Sequence, residues 1–432
     1  MPTLRPFRAL RYGHDLRPIL DRLVSPAVVG ATLGQSSPVH PYNVRHLVRG
    51  DEGPRADQSE PPFTHAARLL ARWKEDGDVV RDPRPAFYVY EQRAGDLVRR
   101  GVVCLVRIER DGVPGLLPHE SSRAGSVEAL RQQLATVRCQ LSLVMAVVPD
   151  REGALAAYLA GHPGAEYVEV TDGDGVMNRI WVDEDPVRHL ALAAALRDEH
   201  AVIADGHHRV DAARQHRAAL GGDEGTRERP SDYVMTLLVP AAEPGLRSRP
   251  THRVCERLGD EARAVLDQLG GSFILTPLQR GDEASFLDGL EGLRFVLVQR
   301  GRVVGLTVRE ERPLVAASLH ALPLALRSVE PAVLASLVLD PMRAAEGQAG
   351  PGPDGDAGGA PSGSTFSHNR TSVEEVAGSA FRGEVDAAFL LRGVPPSLVV
   401  AVAEAGLLMP PKSTNFQPKP IKGLLMNPLV SF

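Results

Sequence analysis

Short apolar runs rich in β-branched residues alternate with stretches of helical spacing along most of this chain, a pattern that predicts an α/β protein of the mixed, α+β kind. Phe87–Tyr90 and Gly101–Ile108 read as strands, and His65–Trp73 and Ser126–Val137 as helices. Val202 and Ile203 belong to a short buried strand that breaks at Gly206, after which Val210, Ala213 and Ala219 follow at helical spacing. Tyr233–Val239, Phe295–Val298 and Val303–Val308 continue the strands. Ala387–Leu391 reads as a strand, Ser397–Ala405 as a helix and Leu424–Met426 as a last strand. No internal repeat is visible.

These elements fall into an N-terminal α/β region over residues 1–199 and a second region over 200–343. Residues 344–365, rich in Gly, Ala, Pro and Asp, read as a flexible linker or loop, and residues 366–432 as a tail that packs back on the core.

Composition narrows the class. A chain of 432 residues, 43% hydrophobic and 24% charged, buries substantial cores. The net charge of −5, with both signs interleaved, argues against a nucleic-acid partner. No run of about eighteen apolar residues suits a membrane span, and no secretory leader opens the chain, so a soluble cytoplasmic protein is expected. Cys104, Cys139 and Cys255 are odd in number and widely spaced, and read as reduced, buried thiols.

The candidate chemistry sits where the strand breaks, in Asp205-Gly206-His207-His208-Arg209. Unpaired backbone N–H groups and the positive end of the dipole at a helix start favour an anion, and Gly206 lets a phosphate approach the backbone. Arg209 supplies a planar fork for two phosphate oxygens, and His207 and His208 can donate or relay protons near neutral pH. Asp205 is a candidate Mg²⁺ ligand, with helix capping as the plain alternative. An ordinary Asp-Gly turn with solvated histidines is the plain reading of the whole run.

Glu120, after His119, is a candidate general base, and Glu91 at the end of a strand is another, with solvated carboxylates as the alternative. Thr251-His252-Arg253 follows a proline, and Lys412-Ser413-Thr414 lies after another. Each reads either as a phosphate contact or as a surface turn. Walker A, Gly-x-Ser-x-Gly, His-Glu-x-x-His and Rossmann glycine patterns are absent.

Several runs resemble one family throughout the chain: Arg5–Tyr12, Pro41–Val44, Tyr88–Gln92, Leu117–Glu120, Asp205–Arg209, Pro250–Arg253 and the closing Met409–Phe416 with Pro418-Lys419 and Asn427–Leu429. That family is domain of unknown function 1015, similar in its Asp-Gly-His-His-Arg motif to the ParB/sulfiredoxin superfamily. The resemblance implies a ParB/sulfiredoxin-like nucleotide-binding core with additional family-specific α/β domains, since members of the wider superfamily bind ATP, ADP or CTP and some are free serine kinases. It also implies phosphate contact by Arg209 and closure of the site by Lys412, Ser413 and Thr414. The chain departs from the family at Val24–Val29, where an aspartate is missing, at Ser121-Ser122 and at Phe366–Asn369. Sulfiredoxin chemistry needs a cysteine where His207 or His208 stands.

The expected function is an ATP- or ADP-dependent phosphotransferase using Mg²⁺ on a small hydroxylated metabolite, with a free amino acid such as serine as first candidate. Gly206, Arg209, His207 and His208 would hold phosphates, with contacts from Thr251, His252 and Arg253. The missing early aspartate motivates the alternative of a catalytically silent nucleotide-binding regulator. A nucleotide-gated DNA clamp is disfavoured by the acidic balance.

Overall fold

A computed structural model describes residues 3–24, 39–49, 61, 63–110, 112–161, 166–221, 228–289, 292–347, 364–369 and 372–430. Most of the expected linker, residues 348–363, and the departure at Ser25–Val29 lie outside the described residues. The chain forms two compact units, one of residues 1–246 with 418–432 and one of residues 247–417.

The first unit is built on a mixed sheet of nine strands among the described residues. They are β1 (Leu4–Arg5), β2 (Phe87–Ala94), β3 (Leu97–Arg107), β4 (Leu116–Leu117), β5 (Val144–Val148), β6 (Glu166–Thr171), β7 (Met177–Asp183), β8 (Ala201–Asp205) and β9 (Tyr233–Pro240). The order is β6-β7-β2-β3-β9-β5-β8-β4, with β1 also on β3; β5–β9 and β4–β8 are parallel and the other pairs antiparallel. An expected boundary after residue 199 is therefore not where the unit ends. Strand β8 pairs with β5 in the middle of the chain, and that ladder joins residues from both sides of the boundary.

Alternation assigns the faces of this sheet. Phe87 and Val89, Val102, Cys104 and Val106, Val144, Ala146 and Val148, and Ala201 and Ile203 all enter one core. The helices α2 (Ala124–Val137), α3 (Ala154–Ala160), α4 (Pro186–Ala195) and α5 (His207–Ala219) send Val127, Leu155, Leu192 and Val210 into it, while α1 (Thr64–Glu75) packs separately through Trp73. The opposite face carries Tyr90, Gln92 and Arg99, all buried although polar. Gly101 has no room for a side chain there, because a Cβ would stand 2.6 Å from the Leu238 carbonyl oxygen on the neighbouring strand.

Residues 418–432 close on the first unit. Met426 bridges Leu10, and Asn427–Pro428 pairs with Cys139–Gln140. The last strand thus starts after Leu424–Met426, and Leu424 and Leu425 serve as buried apolar contacts in a bend. The rest of the expected tail, 366–417, belongs to the second unit.

That second unit holds β10 (His252–Arg257), β11 (Phe273–Leu278), β12 (Arg294–Gln299), β13 (Arg302–Val308), β14 (Thr365–Asn369) and β15 (Ala387–Leu390), antiparallel throughout in the order β11-β13-β12-β15-β10-β14. Its two faces fill two cores by strict alternation. Cys255, Leu297 and Phe389 pack with α6 (Asp260–Asp267) and α7 (Pro313–Ala321), whereas Val254, Val296 and Ala388 pack with α8 (Val373–Arg382). The three cysteines are free and buried. No helix among the described residues is long and apolar enough to cross a membrane.

Candidate functional site

Strand β8 ends at Asp205, and Gly206 turns the chain into α5 with φ of 107°, a conformation that residues with a Cβ rarely adopt. A β-bulge aims Asp205. The ladder pairs Ala146 with Ile203 but Met145 with Asp205, so Ala204 is the extra residue. Without it Asp205 would follow Ile203 toward the helix-covered core. With it the carboxylate shares a face with Met145, the face that carries Arg99.

There two cations grip the carboxylate. Lys419 Nζ lies 2.6 Å from Oδ1 and Arg209 Nη2 lies 2.5 Å from Oδ2. Burial alone would raise the Asp205 carboxyl, but the Lys419 ammonium and the Arg209 guanidinium hold it well below the usual carboxylate range. The guanidinium folds back over the turn so closely that a Cβ on Gly206 would meet its Nε and Nη2 at 2.8 Å. Asp205 is therefore an ion-pair partner and not the helix cap; the cap position is Gly206, with no side-chain bond.

Lys419 is delivered by a tail strapped to the sheet. Buried Arg99 donates from Nη2 to the Gln92 amide oxygen and to the Pro418 carbonyl, and Gln92 donates 3.0 Å to the Lys419 carbonyl. Tyr90 donates 2.6 Å to Asn178 and accepts from the Ile421 N–H. Yet Arg99 Nε and Nη1 remain buried with no hydrogen-bond partner, as does Arg209 Nε. A buried charged group normally has its donors matched; here three guanidinium nitrogens without a partner lie near one carboxylate. Half-buried Lys422 is within electrostatic reach of Arg209, Asp205 and Arg49; burial and the Arg209 charge push its ammonium down to about 8.

His207 and His208 take a different role from the one expected of them. His207 Nε2 accepts from the His119 N–H at 3.3 Å, and His208 Nε2 accepts from the Arg123 N–H at 3.0 Å. A nitrogen that accepts from a backbone N–H carries no proton, so each neutral ring keeps its proton on Nδ1. Burial and the neighbouring His119 ring, edge-on at 4.6 Å, hold His207 well below the usual histidine range, and burial lowers His119 to about 4. The His119 ring is fixed through Nδ1 to the Ile203 carbonyl at 2.6 Å. These histidines stitch the loop from Pro118 to Arg123 onto the motif helix, and Glu120 sits between its two tethered ends. Glu91 is no cleft base: it is 2% exposed, with Arg100 at 2.7 Å and Arg93 and Arg179 close by.

The Mg²⁺ role expected of Asp205 does not fit this donor set. Mg²⁺ demands oxygen ligands in octahedral geometry, whereas both Asp205 oxygens are bound by cations and the nearby ring nitrogens are engaged. Among the described residues, no three His, Cys, Asp or Glu side chains group as a metal site would require.

The remaining predicted residues belong to the second unit. Arg253 donates to the carbonyls of Thr251 at 3.0 Å, Lys412 at 3.2 Å and Pro411 at 3.3 Å, so the two runs singled out in the sequence do meet there. Lys412 turns the chain with φ of 55°, and the Ser413 hydroxyl is spent on the Pro410 carbonyl at 2.6 Å. Thr414 is buried. His252 accepts through Nδ1 from the Leu391 N–H at 3.2 Å; its Nε2 and the Thr251 hydroxyl are buried without a partner. These are interior loop-forming contacts where surface turns or phosphate donors are expected.

Arg99 and Lys422 escape the motif reading, and Lys419 enters it only within the closing run, with no role assigned. One signal was present for Arg99: adjacent Arg99 and Arg100 on a strand must point to opposite faces, so one of them had to turn inward.

The chain belongs to the family described as Protein of unknown function (DUF1015), whose model matches residues 4–330. No curated protein matches the sequence. Among solved structures it is similar to a conserved hypothetical protein from Pyrococcus furiosus, at 14% identity over 71% of this chain and 90% of that one, with a TM-score of 0.34. It is similar at 14% identity to a free serine kinase in complex with AMP, over 70% of this chain and 83% of that one, with a TM-score of 0.34. A third is SbnI with a C-terminal truncation from Staphylococcus aureus, at 11% identity over 76% and 87%, with a TM-score of 0.37.

Proposed function

We propose that the first unit of this DUF1015 member binds a nucleotide by its phosphates at the Asp205–Arg209 turn and uses it as phosphoryl donor to a small hydroxylated metabolite, a free amino acid such as serine being the first candidate. The observation that carries the binding is the set of orphaned guanidinium nitrogens on Arg99 and Arg209, gathered at a helix N-terminus that itself favours an anion. Phosphate oxygens are strong acceptors that match a guanidinium in geometry and charge. Phosphoryl transfer needs little beyond positioning and neutralised phosphate charge, and cations already stand at the turn. Glu120, held between two tethered ends of its loop, is the candidate base for the acceptor hydroxyl.

A catalytically silent nucleotide binder is the second reading. It is favoured by the histidines, whose Nε2 atoms are committed to backbone N–H groups.

Phosphorus NMR of the protein with ATP, ADP or CTP and a pool of amino acids and small alcohols separates the two. A new phosphomonoester signal, lost in Glu120→Gln, is expected of the phosphotransferase. Broadened nucleotide signals without any product identify the silent binder, and unperturbed spectra would remove both readings.

A further inference from the structure

We infer that the site meets the charge of a nucleoside di- or triphosphate with its own cations, Arg99, Arg209, Lys419 and Lys422, and binds the phosphate chain without a divalent metal ion. This rests on the reading of the turn as a nucleotide phosphate site, and goes beyond it in naming the charge state of the ligand and the groups that neutralise it.

Four cationic side chains stand here with Asp205; the other carboxylate within electrostatic reach of Arg99, Glu243, accepts from the Arg100 N–H at 3.0 Å and lies beside the Arg100 charge, so the surplus against Asp205 is three positive charges (four minus one). Arg99 reaches Asp205 electrostatically from the sheet, and Lys422 from the tail, with Arg49 within electrostatic reach of Lys422. Near neutral pH a terminal phosphate carries about −2, so a monophosphate leaves the surplus unmatched, whereas each added internal phosphate contributes roughly one more charge. A diphosphate matches the four cations, and a triphosphate matches them together with Arg49.

The donors are ordered for such a chain. Arg99 is 2% exposed and keeps Nη1 and Nε unpartnered, while its Nη2 is tied to Gln92 and Pro418. That tether fixes the guanidinium, so binding an acceptor costs little side-chain entropy. Arg209 keeps Nε unpartnered at the turn itself. Asp205 occupies the cations as an internal counter-ion. An arriving phosphate chain shares Arg209 and Lys419 with it, and since both Asp205 oxygens are bound by those cations, Asp205 offers no carboxylate oxygen to a metal ion brought along with the phosphates.

The test is calorimetric titration of the full chain with AMP, ADP, ATP and pyrophosphate, each in EDTA and again in excess Mg²⁺, with Lys422→Gln alongside. ADP and ATP are expected to bind in EDTA at least as tightly as in Mg²⁺ and about tenfold or more tighter than AMP, with Lys422→Gln weakening ATP about fivefold in EDTA. Pyrophosphate binding as tight as ADP would trace all the affinity to the phosphate chain and support the charge assignment. ATP binding that appears only with Mg²⁺ overturns this inference and leaves the nucleotide reading standing. Absence of nucleotide binding in both buffers overturns that reading, and this inference with it.

Discussion

Arg253 in the second unit and Arg99 in the first are both buried, at 5% and 2% exposure, and both hold a late segment of the chain. Arg253 is surrounded by acceptors: carbonyls of Thr251, Pro411 and Lys412 close around its two terminal nitrogens and set the loop that follows. Arg99 satisfies one nitrogen with Gln92 and Pro418 and leaves two with nothing, beside further cations. A buried cation matched to backbone carbonyls is architecture, whereas one buried beside other cations with donors to spare is suited to a site for an anion. The difference lies in the acceptor count around each guanidinium, which neither burial nor residue type reveals.

Substitution of each arginine separates the two roles. Arg253→Met strands one buried and two part-buried carbonyls and is expected to destabilise the protein by about 3 kcal/mol, read as a large drop in the calorimetric melting temperature, with nucleotide affinity little changed. Arg99→Met removes two orphaned donors along with two satisfied contacts, so its stability cost should stay near 1 kcal/mol while ATP affinity falls about thirtyfold, roughly 2 kcal/mol. Equal losses of stability in the two variants would erase the distinction.

Smaller effects are expected at the turn and in the tail. Gly206→Ala places a Cβ against the Arg209 guanidinium in a left-handed backbone, and is expected to cost about 1–2 kcal/mol of stability and to weaken ATP by displacing Arg209. Lys422 gives a pH signature. Its folded value of about 8 lies below its ordinary 10.5, so between those values the unfolded chain holds more protons and stability rises with pH. Bound phosphate favours the charged form, so ATP affinity should fall a few-fold from pH 7 to pH 9, and Lys422→Gln should flatten that slope. Titration at four or five pH values is sufficient to see it.

The strands and helices were largely legible because alternation and helical spacing are local: Phe87–Tyr90 lies within β2, Ser126–Val137 within α2 and Phe295–Val298 within β12. The motif turn was legible too, since Gly206 demanded a left-handed conformation. What surrounds it was not. The bulge at Ala204 that turns Asp205 toward Arg99 leaves no trace in a run of apolar residues, and Lys419 reaches Asp205 across 214 positions of sequence. The histidines carry the same lesson: two adjacent imidazoles suggest proton chemistry until the N–H groups of His119 and Arg123 are seen on them. Residue type named the chemistry that was available, and tertiary contacts decided which of it was already used.

Calorimetric titration of ATP into the wild-type protein and into Arg99→Gln, with melting curves for both, decides whether phosphates meet the Arg99 guanidinium. Wild-type binding that falls at least tenfold in the variant, at a nearly unchanged melting temperature, is the predicted result. Equal ATP affinity in the two proteins would show that the orphaned guanidinium is not where the phosphates go, and would contradict the account.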